Sequence, residues 1–319
     1  MFQRTALTTF RSLRPRLAQQ RAMIQTRAFS APSLPKLIQQ LRKATGAPMM
    51  ECKKALNAVD NDYEKATAWL RKNGSAKAAS KLAGRDASEG LVGISLSQGD
   101  GKGSIVKISS ETDFASRSSD FQRLVEIVSI GALKESNVDD LMSVETDGKT
   151  VKDSLDDAIL AIRENLQISS VETIVASSND SVLAYYVHGK VVNESNTGTA
   201  AAMVELLAKN SKLSEEEISE VGKKLAMHIV AAKPTYQAPE DVPDDDVEKE
   251  KAILMDQMAD SGKPEEILEK IVLGRMRKYY EGVCLTEQAH MLEEGNPKVS
   301  KFLDTLGLEL VKFKSTFIS

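Results

Sequence analysis

The hydrophobic period of the chain changes at Gly90, and no other feature narrows the possible folds as far. Upstream, Leu34, Leu37, Ile38 and Leu41 recur at helical spacing. Downstream, Leu91-Val92-Gly93-Ile94-Ser95-Leu96 and Ser104-Ile105-Val106-Lys107-Ile108 read as strands. They flank Gln98-Gly99-Asp100-Gly101-Lys102-Gly103, whose turn residues predict a hairpin. A helical block followed by strands that mix with helices makes an α+β chain. Its 319 residues leave room for about two domains with appendages.

The helical block spans residues 31–75. Ser33-Leu34-Pro35 opens it with a cap-like Ser and an early Pro, and Thr45-Gly46-Ala47 interrupts it. Pro48 suits the first turn of a second helix, with Met49, Cys52, Leu56 and Val59 as its stripe. Asn61 and Glu64 have capping-box spacing and launch a third helix through Tyr63, Ala66 and Leu70 to Gly74. Three short helices in so few residues form a bundle like a ubiquitin-associated domain, small for independent stability and suited to presenting a patch to a partner. Residues 76–89, rich in Ala, Lys and Ser, read as a short helix and a linker.

Beyond Gly90 the core divides into two related subdomains of antiparallel strands packed with helices, 90–167 and 168–240 together with 299–319. In the first, Ser118 or Ser119 caps a helix bearing Phe121, Leu124, Val125 and Val128, and Leu155, Ile159, Ile162 and Leu166 mark another. The pattern recurs with strand-like runs Val171–Ala176 and Val182–Val187, then an Ala-rich run Thr199–Leu207. A helix follows, with a Ser214/Glu217 capping box and a Val221, Leu225, Ile229 stripe, and Lys233-Pro234 stops it. Hairpin plus helix, twice, is the expected plan. An acidic connector introduces an antiparallel helical hairpin inserted at 241–298. Its helices are Val247–Ala259 and Pro264–Tyr280, joined by Asp260–Lys263, with Ile253, Ile267 and Ile271 as its seam. The last residues supply a helix and a returning strand, Leu308–Phe313.

Composition removes several classes of function. No window approaches the roughly 18 apolar residues that cross a bilayer, so no membrane association is expected. Two cysteines and three histidines lie scattered, without the spacing of a zinc site or disulfide framework. Gly101-Lys102-Gly103-Ser104 is no phosphate-binding loop: Gly follows the Lys, and no helix begins there. The first thirty residues carry six arginines and no carboxylate, the composition of an organelle transit peptide, expected over 1–29 with cleavage after Phe29 and delivery to the mitochondrial matrix. Without those arginines the net charge of −4 becomes −10, a poor basis for direct nucleic-acid binding.

Ser109-Ser110-Glu111-Thr112-Asp113-Phe114-Ala115 joins a strand to a helix, and it sets a carboxylate beside an aromatic ring where small polar turn residues are usual. An exposed Phe gains nothing unless a surface covers it, which makes this turn a candidate tool for opening another protein. The alternatives are that Phe114 folds back on its own helix as a staple and that Asp113 is only a turn residue.

Four ordered landmarks resemble one family. Leu41-Arg42-Lys43-Ala44-Thr45-Gly46-Ala47-Pro48-Met49-Met50-Glu51-Cys52-Lys53-Lys54-Ala55-Leu56 is similar to the first signature of translation elongation factor Ts, and Glu111-Thr112-Asp113-Phe114 to its second. Ala226–Pro234 resembles a third landmark. Gly262-Lys263-Pro264 with Glu269–Arg275 resembles a fourth. With the Arg-rich leader, the chain resembles the mitochondrial type. The resemblance implies a guanine-nucleotide exchange factor, not an enzyme, without cofactor or metal. The implied partner is mitochondrial elongation factor Tu in its GDP-bound and nucleotide-free forms.

In that family the helical module docks on the partner's GTPase domain, which assigns Met49, Met50 and Lys53 to the interface. The core supplies an Asp-Phe wedge, here Thr112, Asp113, Phe114 and Ala115, and contacts a second domain, for which His228 is a candidate against a plain packing role. Pro48 stands where the family generally has Gly, and 193–212 looks like an extra loop. Two rivals differ in class. One is a binding adaptor using the bundle alone, without exchange activity; the other is an enzyme with Ser110, Glu111 and Asp113 as metal ligands.

Overall fold

The computed structural model describes residues 33–318, apart from 83, 193–194 and 258–264. The expected transit peptide and the hairpin loop Asp260–Lys263 therefore lie outside the described residues. Helices α1 (Leu34–Thr45), α2 (Met49–Ala58) and α3 (Tyr63–Leu82) form the module, around Leu37, Leu41, Cys52, Leu56, Ala66 and Leu70. Gly46 ends α1 in the left-handed conformation. Asn61 is not the cap of α3, since its φ of 64° places it in the turn. Asp62 does that work, its Oδ1 accepting the Lys65 N–H at 3.0 Å. The third helix also does not stop at Gly74 but runs on to Leu82, so the linker is shorter than expected. Ala and Lys favour helix, and Leu82 is buried in the core of the first subdomain.

The core is a stack of four layers. Strands β1 (Glu89–Ser97) and β2 (Lys102–Ser110) form the expected hairpin, Glu89 opposite Ser110. After them come α4 (Asp113–Ser116), α5 (Ser119–Gly131), α6 (Val138–Leu141), the short β3 (Glu145–Thr146) and β4 (Lys149–Thr150), and α7 (Val151–Ile162). Then follow β5 (Gln167–Val175), β6 (Ser181–His188), β7 (Thr197–Gly198), β8 (Ala200–Ala208) and α8 (Glu215–Ala232). One sheet has the order β5-β2-β1-β7; the other has the order β6-β8-β9, where β9 is Leu308–Phe317.

Alternation along the strands sorts side chains between layers. Leu91, Val106 and Ile108 face α5 and α7 and meet Phe121, Leu124, Val125 and Leu155. Val92, Ile94 and Ile105 face the second sheet and meet Ala201 and Met203 of β8. Ala202, Val204 and Leu206, on the other side of β8, pack on Leu225 and Ile229 of α8.

The second hairpin is not formed. Strand β5 pairs antiparallel with β2, from Lys102 opposite Val175, whereas β6 pairs with β8. Two successive runs of similar alternation say nothing about which neighbour each will take. The Ala-rich run is the central strand β8, covered on both faces, which is why it reads as continuous apolar sequence. The expected extra loop at 193–212 is thus largely strand, since it contains β7 and β8.

The helical hairpin is present as α9 (Asp244–Asp256) and α10 (Glu265–Val283). Its seam is Leu254, Val272 and Met276, with Ile271 packed beside them, while Ile253 and Ile267 are exposed. On a helix each of those two stands one residue from the inward side chain, about 100° around the axis. Helix α11 (Val299–Thr305) then leads into β9.

Close approach of α8 to its sheet requires Gly222. A Cβ there would stand 2.5 Å from the Ala184 Cβ, which belongs to a strand and has no flexible end to move aside. Gly222→Ala is expected to cost about 1–3 kcal/mol, despite the better helix propensity of Ala. Urea unfolding checks this, and a variant as stable as the parent would show that the helix can lift at no cost.

Candidate partner-binding site

The turn after β2 is built from the chain's own hydrogen bonds. Thr112 is the N-cap of α4: its Oγ1 accepts the Ala115 N–H at 3.3 Å. The Thr112 hydroxyl donates to Glu164 Oε1 at 2.7 Å, and its backbone N–H donates to Glu164 Oε2 at 3.0 Å. The Ser110 hydroxyl donates to the Thr112 carbonyl at 3.0 Å. On the far side, Ser118 donates to the Ala115 carbonyl and accepts the Phe121 N–H, capping α5.

Ala115 and Ser116 are thereby held inward and buried. Phe114, beside them, is turned out and 81% exposed, so the staple reading does not describe it. Asp113 is half-exposed and forms an i,i+4 ion pair with Arg117 at 3.2 Å. Thr112, Asp113 and Phe114 stand together, while Ala115 is 6% exposed in the free chain. It is the foot on which the turn rests.

The module presents a second apolar feature. Met49 and Met50, in the first turn of α2, are 56% and 62% exposed, and Lys53 is exposed one turn on. Met49, expected in the buried stripe with Cys52 and Leu56, is exposed, while Ala47 is fully buried in the core of the module. Pro48 is the N-cap of α2, its carbonyl accepting the Glu51 and Cys52 N–H groups.

His228, the candidate core contact, is 1% exposed and is among the residues lining the groove beside Met291 and Leu292. The Met291 N–H donates to its Nδ1 at 3.3 Å, which leaves Nε2–H to donate to Gln288 Oε1 at 3.0 Å. Its ring lies 5.3 Å from that of His290, which meets Phe302 edge-on at 5.2 Å. The pair pins residues 288–292 to α8 and leaves Met291 and Leu292 exposed. With Met227, Ala231 and Phe317 these two line an apolar groove of about 530 Å³. Sequence reasoning missed this groove, because Met291 and Leu292 lie in a segment without period.

A groove of about 590 Å³ runs between Thr45-Gly46 and the helices α5 and α7. Two ion pairs line it, Arg123 with Asp147 at 2.9 Å and Lys149 with Asp157 at 2.7 Å. Among the described residues no three His, Cys, Asp or Glu side chains could hold a metal ion, and no helix is long and apolar enough to cross a membrane.

These features define a protein that acts by docking: a helical module with exposed methionines, and a rigid core that projects one aromatic ring. The model of the family described as elongation factor TS matches residues 111–318. A second model, elongation factor Ts, mitochondrial, N-terminal, matches residues 20–79, starting inside the segment expected as a leader. The elongation factor Ts of Paramagnetospirillum magneticum is 40% identical over 277 residues, covering 86% of this chain and 85% of the relative. That of Maricaulis maris is 39% identical over 265 residues, covering 82% of each. That of Rhodospirillum rubrum is 38% identical over 278 residues, covering 86% of each. The chain belongs to the elongation factor Ts family, the nucleotide-exchange factors of elongation factor Tu, which are not enzymes.

The buried histidine pair is expected to make the packing around α8 acid-sensitive. Burial, and then the neighbouring His228, push His290 down from the ordinary 6.5 to about 4; burial also lowers His228, against the Gln288 hydrogen bond. Both folded values lie below the unfolded one. The folded state therefore binds fewer protons, and stability present above about pH 6.5 is lost as pH falls toward 4. His290 Nε2 is also buried without a partner among the described residues. His290→Phe, which removes both ring nitrogens, including the Nδ1 that accepts the Leu292 N–H at 3.3 Å, and keeps an aromatic ring, is expected to flatten the fall in melting temperature between pH 7.5 and pH 5. An unchanged slope would locate the acid sensitivity elsewhere.

Proposed function

We propose that this chain exchanges the nucleotide of mitochondrial elongation factor Tu in the mitochondrial matrix, with Asp113 and Phe114 as the wedge that loosens bound GDP. The observation that carries this reading is the exposure of Phe114 on a turn held by the side chains of Thr112 and Ser118. A GTPase holds GDP through phosphate contacts and Mg²⁺, so the exchange factor needs no nucleophile, only a way to weaken those contacts. Phe114 enters an apolar pocket of the partner and displaces what lines it. Asp113, at the mouth of the same turn, brings a carboxylate toward the phosphates and metal. The mitochondrial designation of the N-terminal family model and the Arg-rich first thirty residues support the compartment.

Magnitudes show that the ring does not act alone. Burying one Phe is worth about 1.5–3 kcal/mol, or one to two decades of equilibrium constant. The remainder falls to the wider interface: Met49, Met50 and Lys53 on the module, whose thioethers adapt to an irregular surface, and the groove beside Met291 and Leu292. Coupling is reciprocal, so GDP weakens the binding of the exchange factor by the factor with which the factor weakens GDP.

Release of labelled GDP from mitochondrial elongation factor Tu tests both halves. Phe114→Ala is expected to lower the release rate at saturating factor about tenfold or more. An undiminished rate removes the wedge. Met49→Ala with Met50→Ala is expected to raise the half-saturating concentration severalfold and leave the maximal rate nearly intact. A bundle that acts as an adaptor by itself would instead bind in full without the core.

A further inference from the structure

We propose that Glu164 is the positioning residue of the exchange wedge: its carboxylate, at the turn that ends α7, fixes the direction in which Phe114 points. This rests on the exchange reading above and names the part of the chain that aims the wedge.

Arg163-Glu164-Asn165 is a meeting point of three distant segments. Arg163 caps α7 in the left-handed conformation, φ 65°, and its N–H donates to the Ile159 carbonyl. That sharp reversal sends three successive side chains to different neighbours. Arg163 Nη2 donates to the Gly46 carbonyl of the module at 3.1 Å. Glu164 receives both donors of Thr112. The Asn165 N–H donates to Glu111 Oε1 at 2.7 Å, and Asn165 Nδ2 donates to the Arg85 carbonyl at 2.8 Å. Arg85 in turn lies 3.4 Å from Glu111. Module, linker and wedge are thus tied to one turn.

Within it, Glu164 has a role its neighbours cannot take. Helix α4 is a single turn of four residues, too short to hold itself together. Its N-terminal side-chain cap is the Thr112 oxygen, and that hydroxyl has a single proton to give. By accepting it, Glu164 fixes the rotamer in which the Oγ1 lone pair faces the Ala115 N–H. The second carboxylate oxygen holds the Thr112 backbone, so the grip has two points and sets an orientation. Without the carboxylate the hydroxyl is free to turn, the Ala115 N–H loses its acceptor, and Phe114 samples directions other than the productive one. Glu164 itself is only half-buried, and its hydrogen bonds are to Thr112, two residues from the ring-bearing position. Its loss therefore weakens orientation, and a group held in one productive direction acts on the rate more than on affinity.

The full chain is compared as the parent, Glu164→Ala, Phe114→Ala and the double variant. Amide hydrogen exchange of the free protein is the first readout. In Glu164→Ala the Thr112 and Ala115 amides are expected to exchange about tenfold faster or more, the loss of two charge-assisted bonds, with β2 unaltered. The second readout is labelled-GDP release. Its maximal rate is expected to fall about five- to tenfold, with the half-saturating concentration changed by less than about twofold. The double variant should be no slower than Phe114→Ala alone, because both changes remove one function.

Unchanged exchange at Thr112 and Ala115, or losses that multiply in full in the double variant, would overturn the positioning role. A Phe114→Ala protein as fast as the parent would overturn the wedge itself and this role with it, whatever the amides show. Should Glu164→Ala fail to fold, Thr112→Val removes the same hydroxyl bond from the other side and is held to the same non-additivity.

Discussion

The close-packed contact between the two sheets is the interaction on which the rest of the core depends. Val92, Ile94 and Ile105 of the first sheet and Ala201 and Met203 of the second are almost wholly buried against each other. Small side chains on β8 let the layers approach, and Gly103 leaves room for the Met203 side chain, whose sulfur would lie 2.1 Å from a Cβ at that position. Close-packed interiors do not yield continuously under load. A force on a side chain at the end of β2 therefore passes into the stack instead of bending the strand.

On that base the wedge turn is rigid through polar bonds and not through packing. Thr112, Ser110, Ser116 and Ser118 each bond a backbone group or Glu164, so the short α4 has little freedom although few apolar contacts hold it. The arrangement has a direct cost: an exposed aromatic ring that contributes nothing to the stability of the free chain. Asp113 is favoured at the N-terminus of α4 by the helix dipole and by Arg117, and both interactions are exposed enough to be exchanged for those of a partner.

The module and the core meet on α7, with the α1 cap at Gly46 lying against Ala161 and bonded to Arg163. A bundle of this size buries little apolar surface alone, so a seat on the core steadies it. Linkage also sets two contact features on one body, and a second contact made within one complex gains from the effective concentration provided by the first.

Much of this was legible in the residues. Helices with clear stripes and caps, such as α5 behind Ser118 and α8 with its Ser214/Glu217 box, follow from local hydrogen bonding and a period of 3.6. The β1–β2 hairpin follows from its turn, whereas the residues around Phe114 left open whether the ring is exposed or folded back on its helix. Caps, stripes and turns are local, so local sequence determines them. Strand partnership was not legible: β5 joined β2 and β6 joined β8, because alternation marks a buried face and leaves the neighbour open. The same holds for His228, buried by a segment sixty residues away, for the seam of the helical hairpin, and for Glu164 under the wedge. Each depends on contacts between residues far apart in the chain, and only the packed layers decide which of them meet.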